Sequence, residues 1–167
     1  MNSENLGNNE TMLQMSPWDF DQSPNGWRKF EATKEHVRAA NVIREYLAKN
    51  KDRIINLREG EKTVSLELMH FHVGQLLASE GKGRWPEAIN AFNQSFQEGR
   101  ECWNAYVSAT IGFLENDMKR IEDAISTIEV SQEADKRNGN LGIVKNFKKA
   151  LEMGERDYEK PYLWPRD

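Results

Sequence analysis

Two stretches of this chain, Trp85-x-x-Ala88-Ile89-x-x-Phe92-x-x-Ser95 and Ile121-x-x-Ala124-Ile125-x-x-Ile128-x-x-Ser131, match position for position at an offset of 36 residues. Each sets apolar groups at i, i+3, i+4 and i+7, the single stripe of an amphipathic helix. Each follows a segment that is apolar nearly all round a helix and holds one glycine, Gly74 in the first and Gly112 in the second. A helix apolar on most sides must be packed on more than one. A helix pair repeated at this interval needs its neighbour to bury its face. Stacked helix pairs are therefore the expected architecture.

The rest of the sequence extends that stack. Apolar steps through Trp27, Phe30, Val37, Leu47 and Ile54 predict helix over 27–59, as one helix or as two joined near Asn50, with Gly60 ending it. Further helices are predicted over 63–79, from Trp85 to Glu98, and over Glu101–Glu115. Another starts at the Asn116-Asp117 cap and closes at Asn138-Gly139, and a last one covers 141–156. Gly81-Lys82-Gly83 reads as a turn, and Pro86 as a first-turn residue whose missing N–H costs nothing there. Short links imply antiparallel neighbours. The expected fold is all-α, antiparallel hairpins from about six helices. Residues 1–26, rich in Asn, Ser, Pro and Gly, are expected as an irregular N-terminal arm whose Trp18 and Phe20 dock onto the helical body. A single domain then spans 27–160, with repeat units at 63–99 and 100–136 and flanking helices at 27–59 and 140–157. The tail, 161–167, holds Pro161 and Pro165 and cannot continue the last helix.

The spacing of small residues resembles the tetratricopeptide repeat, a helix pair with a small residue in its first helix and another twelve positions later. Large apolar groups stand three before and four after the second small residue. Gly112 and Ala124 are twelve apart, flanked by Ile121 and Ile128. Gly74 and Ala88 are fourteen apart, flanked by Trp85 and Phe92, which asks for two extra residues in the turn after Ser79. Small groups let two helices approach, and large ones fill the gaps beside them. The family's Trp falls on His70 and Ser108, and its closing proline near Arg100, so both units are degenerate.

The resemblance covers residues 63–136 and implies a short right-handed superhelix whose first helices line a groove for a protein or peptide. The family's groove positions fall on Phe71, Gln75, Tyr106, Thr110 and Phe113. None is a cation, so the carboxylate grip of some members is not expected, and aromatic or apolar anchors are. In size and acidity the chain is similar to the small three-repeat chaperones of bacterial secretion systems. The expected function is a non-enzymatic protein- or peptide-interaction module. The alternatives are a self-associating protein whose groove is filled by its own arm or by a second copy in a homodimer, and, last, an enzyme of unknown class.

Charge and composition narrow the partner. Net charge is −4, and the arm holds the whole excess in Glu4, Glu10, Asp19 and Asp21. The remainder carries 23 charges of each sign, a balance that argues against nucleic acid, whose binding needs a basic face. The longest uncharged run, Cys102–Leu114, is 13 residues, too short for a hydrocarbon core of about 30 Å. One cysteine and a polar, acidic beginning lend no support to secretion, so a cytoplasmic location is expected.

No cofactor, metal ligand set or catalytic residue is expected. His70 and His72 point about 200° apart on a helix and cannot share an ion, while Glu67 with His70 is a weak pair. His36 stands alone. Cys102 has no neighbouring base in sequence and reads as a packed side chain. The carboxylates Glu115, Asp117, Glu122, Asp123, Glu129, Glu133 and Asp135 crowd one helix, and a solvated face or a basic partner would each explain them.

Overall fold

Three helix starts among the described residues are set by side chains that stand in for a missing carbonyl partner. Ser16, Ser65 and Asp117 accept the backbone N–H of Asp19, Leu68 and Arg120 respectively. The computed structural model describes residues 10–56, 62–131 and 139–166, and every regular element among them is helical. These are α1 (Pro17–Gln22), α2 (Arg28–Ala32), α3 (His36–Ile55), α4 (Leu66–Ser79), α5 (Trp85–Asn93), α6 (Glu101–Glu115), α7 (Met118–Val130), α8 (Asn140–Glu152) and α9 (Lys160–Leu163), preceded by a turn of helix at 10–13. A 3-10 turn, Lys82–Arg84, links α4 to α5. The predicted helix ends at Gly60 and Asn138 lie outside the described residues.

Packing follows chain order. α3 lies on α4, α4 on α5, α5 on α6, and α6 on both α7 and α8, with α7 against α8 and α9 against α8. The two sequence-matched hairpins, α4–α5 and α6–α7, interlock through their glycines. A Cβ on Gly74 would lie 2.5 Å from Cε1 of Phe92, and one on Gly112 would lie 3.2 Å from Cγ1 of Ile121. Ala88 and Ala124 are buried at 0% and 3% exposure. Trp85, Phe92, Ile121 and Ile128 are all buried, but the glycine notches are filled from non-equivalent positions, by Phe92 in the first hairpin and by Ile121, the counterpart of Trp85, in the second.

Four boundaries differ from expectation, each for a physical reason. The break in the 27–59 segment falls at 33–35, where Lys34 has φ 58° and the Thr33 hydroxyl donates to the carbonyl of Phe30. Asn50 stays inside α3, its amide donating to the carbonyls of Tyr46 and Leu13. The helix predicted to reach Glu98 stops at Asn93, because α6 supplies other partners for the next residues. Trp103 Nε1 donates to Ser95 O at 2.6 Å, and the Asn104 amide bonds both N and O of Gln97. The described part of the arm, 10–26, is not irregular: a turn of helix at 10–13 and α1 lie within it, and α1 folds onto α3 with Phe20 stacked on Tyr46 at 3.8 Å between ring centres. The tail also turns into helix, α9, after the loop that follows α8.

Lysines of α8 face carboxylates of α7. Lys148 Nζ lies 2.9 Å from Glu122 and Lys145 Nζ 3.1 Å from Glu129. The acidic helix is thus paired with its basic neighbour, while Glu133 and Asp135 lie outside the described residues. These pairs are exposed and contribute little each. Replacing Glu122 by Gln is expected to change stability by no more than about 0.5 kcal/mol, measured by urea unfolding.

Candidate functional site

Side chains of α4, α6 and α8 meet along one face, the inner face, where Phe71 of α4 touches Tyr106 of α6 and Phe113 of α6 touches Phe147 of α8. Of the predicted groove residues, Phe71, Tyr106, Thr110 and Phe113 are buried, and only Gln75 is partly open. The expected open groove is therefore a covered surface. Phe71 is enclosed by Phe92, Trp103 and Tyr106, at ring distances of 5.1, 4.9 and 5.2 Å. Phe113 stacks on Phe147 of α8 at 5.1 Å.

What covers the rest is the chain's own C-terminal segment. The Tyr162 hydroxyl sits between those of Tyr106, at 2.9 Å, and Tyr158, at 2.8 Å. The Tyr158 ring lies 6.2 Å from Phe147 and 6.3 Å from Phe113. Asn146 donates from one amide nitrogen toward three main-chain carbonyls, those of Pro161, Trp164 and Pro165, at 2.9, 3.4 and 3.2 Å. Arg156, just before the segment, reaches the carbonyl of Leu114 at 2.8 Å and the Asn116 side chain at 2.6 Å.

Burial raises the pKa of Tyr106 and Tyr158 well above the usual phenol value, and that of Tyr162 upward too. An unfolded tyrosine loses its proton near pH 10, whereas these keep theirs, so the folded state binds more protons above that pH. Stability is thus expected to fall as pH rises through 10 and beyond, with phenolate absorbance appearing together with loss of helical dichroism. Absorbance that rises while the helices stay intact would contradict the buried hydroxyl chain.

At the other end of the inner face, the arm brings a carboxylate indoors. Asp21 has no exposed surface. It accepts from Trp27 Nε1 at 3.0 Å and from the Gln22 amide at 2.5 Å, and it lies 3.7 Å from the Arg28 guanidinium. His72 of α4 faces it through Nε2 at 3.5 Å, and its Nδ1 lies 3.3 Å from Gln75 Oε1. Burial lowers the pKa of His72, partly offset by Asp21, and burial likewise lowers that of His70, partly offset by Glu67.

Both histidines are thus held neutral in the fold and take up protons more readily when unfolded. Their stabilising contribution is complete above pH 6.5 and is lost as pH falls below it through the lowered folded values. A lower urea midpoint at about pH 5 than at about pH 7.5 is expected, with a smaller difference in a His72→Gln chain.

Gln75 stands between the two ends, bonded to His72 on one side and lining a cavity with Tyr158 and Tyr162 on the other. That cavity, of about 390 Å³, opens between the α2–α3 junction, α4 and the tail, lined by Glu31, His36, Gln75, Leu76, Tyr158 and Tyr162. A wider, shallower groove of about 680 Å³ runs between α6 and α7. Its charges meet one another: Lys119 with Asp123 at 2.6 Å, and Arg120 with Glu115 at 3.0 Å and Ser108 at 2.9 Å.

Of the predicted docking pair, Phe20 is fully buried, while Trp18 stays 38% exposed with the Lys62 ammonium 5.4 Å above its ring. Cys102 is buried, and His36 pairs with Glu80 at 3.2 Å. Among the described residues no cluster of three His, Cys, Asp or Glu is arranged to hold a metal, and no helix is long and apolar enough to cross a membrane. Asp21, Asn146, Tyr158 and Tyr162 were not picked out from sequence. The density of aromatics after the last helix was the one available signal for the tail. Comparison with protein-family models, with curated proteins and with solved structures returns no match.

Proposed function

We propose that this chain is a non-catalytic protein- or peptide-interaction module of degenerate, tetratricopeptide-like helix pairs, acting in the cytoplasm through the face formed by α4, α6 and α8. The observation that carries this reading is the way residues 158–166 sit on that face. Asn146 holds backbone carbonyls of the segment, and Tyr106 holds a side-chain hydroxyl. A surface that receives one stretch of polypeptide by its main chain and two aromatic anchors has the chemistry for receiving another. The family likeness is supported by each hairpin closing on a helical glycine, Gly74 and Gly112, although the side chains that meet them stand at non-equivalent positions. The buried histidine does not point to acid–base chemistry, since both its ring nitrogens face protein groups, Asp21 and Gln75.

The test is a photo-reactive residue placed at Gln75, in the cavity wall, and separately at Lys119, on the outer groove. Partner adducts are expected at Gln75 and not at Lys119. Equal labelling at both positions would remove the inner face from consideration. A second reading, self-association, is favoured by the fact that the chain fills its own face. Light scattering decides it, with a monomer expected for the interaction module and a dimer for the alternative.

A further inference from the structure

The seam between the tail and the helices is richer in hydrogen bonds than the hairpin interiors. Within the hairpins apolar groups close the glycine notches, Phe92 against Gly74 and Ile121 against Gly112, with single side-chain hydrogen bonds from Trp85 to Ala78 and from Arg120 to Ser108 beside them. Between residues 158–166 and the inner face, hydroxyl and amide hydrogen bonds, Tyr162 to Tyr106 and Asn146 to three carbonyls, join the ring contacts of Tyr158 and Tyr162 with Phe147. Interfaces that form and separate are more polar than permanent cores. The amide of Asn146 reads only main chain, so sequence preference on this face rests with the places taken by Tyr158 and Tyr162.

Two further observations bear on whether the segment can leave. Its link to α8 contains Gly154 at φ +73°, where nothing packs against the place a side chain would take, and beyond it the bonds of Arg156 to Leu114 and Asn116 must open for the segment to leave. The tail also leaves part of the face unfilled. The cavity of about 390 Å³ continues past Tyr162 along Gln75, Leu76 and His36, and Leu163 at its edge is 81% exposed.

We infer that residues 158–166 are an intramolecular ligand, held on a peptide-docking face that a partner protein's segment of the same chemistry takes over. That segment carries two tyrosines four residues apart, the second on a turn of helix, with carbonyls nearby to accept from Asn146, as in Tyr158-x-x-Pro161-Tyr162 here. This rests on the interaction-module reading. The incoming segment enters at the cavity, where Gln75 offers an amide and Leu76 an apolar wall, and then replaces the tail. Affinity for a partner is reduced by the fraction of time the tail is seated, so loosening the tail raises it.

The experiment uses the full chain and a fluorescent peptide with the sequence of residues 156–167, read by anisotropy. Tyr162→Ala loosens the chain's own tail and leaves Tyr106, Phe113, Asn146 and Phe147 in place. The peptide is expected to bind this variant at least about tenfold more tightly than the wild-type chain, with Tyr162→Phe between the two. A peptide with both tyrosines replaced by alanine is expected to bind none of them.

A Tyr162→Ala chain that keeps its helical dichroism yet takes up no peptide overturns the inference, as does equal binding by wild type and variant. Loss of folding in both Tyr162 variants also overturns it, because a displaceable segment cannot be required for the fold. A wild-type dimer dissociated by the peptide would mean tail exchange between copies and would replace the intramolecular arrangement. A partner captured at Gln75 equally by wild type and Tyr162→Ala keeps the interaction reading and sinks only the tail's role.

Discussion

Phe92→Ala is expected to lower the stability of the fold by about 3–5 kcal/mol, the usual cost of emptying a fully buried aromatic site. Phe92 has no exposed surface, and its ring fills the notch left by Gly74 and touches Phe71. The sharper expectation is for the pair. Gly74→Ala alone drives a methyl to 2.5 Å from the Phe92 ring, which cannot retreat inside the core. Overpacking of this kind costs about 1–3 kcal/mol. With Phe92 already truncated the clash is gone, and Gly74→Ala becomes neutral or gains up to about 1 kcal/mol from helix propensity. The two changes are therefore expected to be strongly non-additive, with a coupling of about 2 kcal/mol read from urea unfolding by circular dichroism. Additive losses would mean that this glycine and this ring do not hold the hairpin together.

The second large effect is expected at Asp21. Asp21→Ala leaves the buried Trp27 N–H without its acceptor and removes the carboxylate facing Arg28 and His72. An orphaned buried donor costs about 1–3 kcal/mol, and the broken charge contacts add to it, so a total of about 2–4 kcal/mol is expected. Arg28 is one-third exposed, and water relieves much of its side of the loss. Asp21→Asn keeps an oxygen for Trp27 and should cost markedly less. Trp18→Ala, at an exposed site on the same helix, should stay within about 0.5 kcal/mol. Hydrogen exchange across residues 10–32 would locate the loss. Protection that is unchanged there in Asp21→Ala would show that the arm is held by Phe20 and Tyr46 alone.

Much of the hairpin core was legible in residues because it is local. The stripe through Trp85, Ala88, Ile89 and Phe92 reports one helix face, and the cap at Asp117 acts within four residues of itself. The candidate site was legible only in part. Phe71, Tyr106 and Phe113 do lie along the inner face, but they are apolar enough to be covered, and the sequence does not say by what. Trp18 and Phe20 look alike in the sequence as large apolar groups two residues apart. On a helix they point in different directions, and only Phe20 meets Tyr46. The helical nature of the arm was masked by its composition, since the serine before Pro17 serves as an N-cap rather than a break.

Sequence alone determined that the chain is helical and that a glycine marks where each of two helix pairs closes. Those features depend on groups within one or two turns of each other. Tertiary structure alone decided that Asp21 is buried against His72, 51 positions away, and that Tyr162 bonds to Tyr106, 56 positions away. Contacts at such separations carry no period, and several apolar faces could have received the same aromatic tail. Which of them did was settled by the hydrogen bonds that only the assembled helices offer.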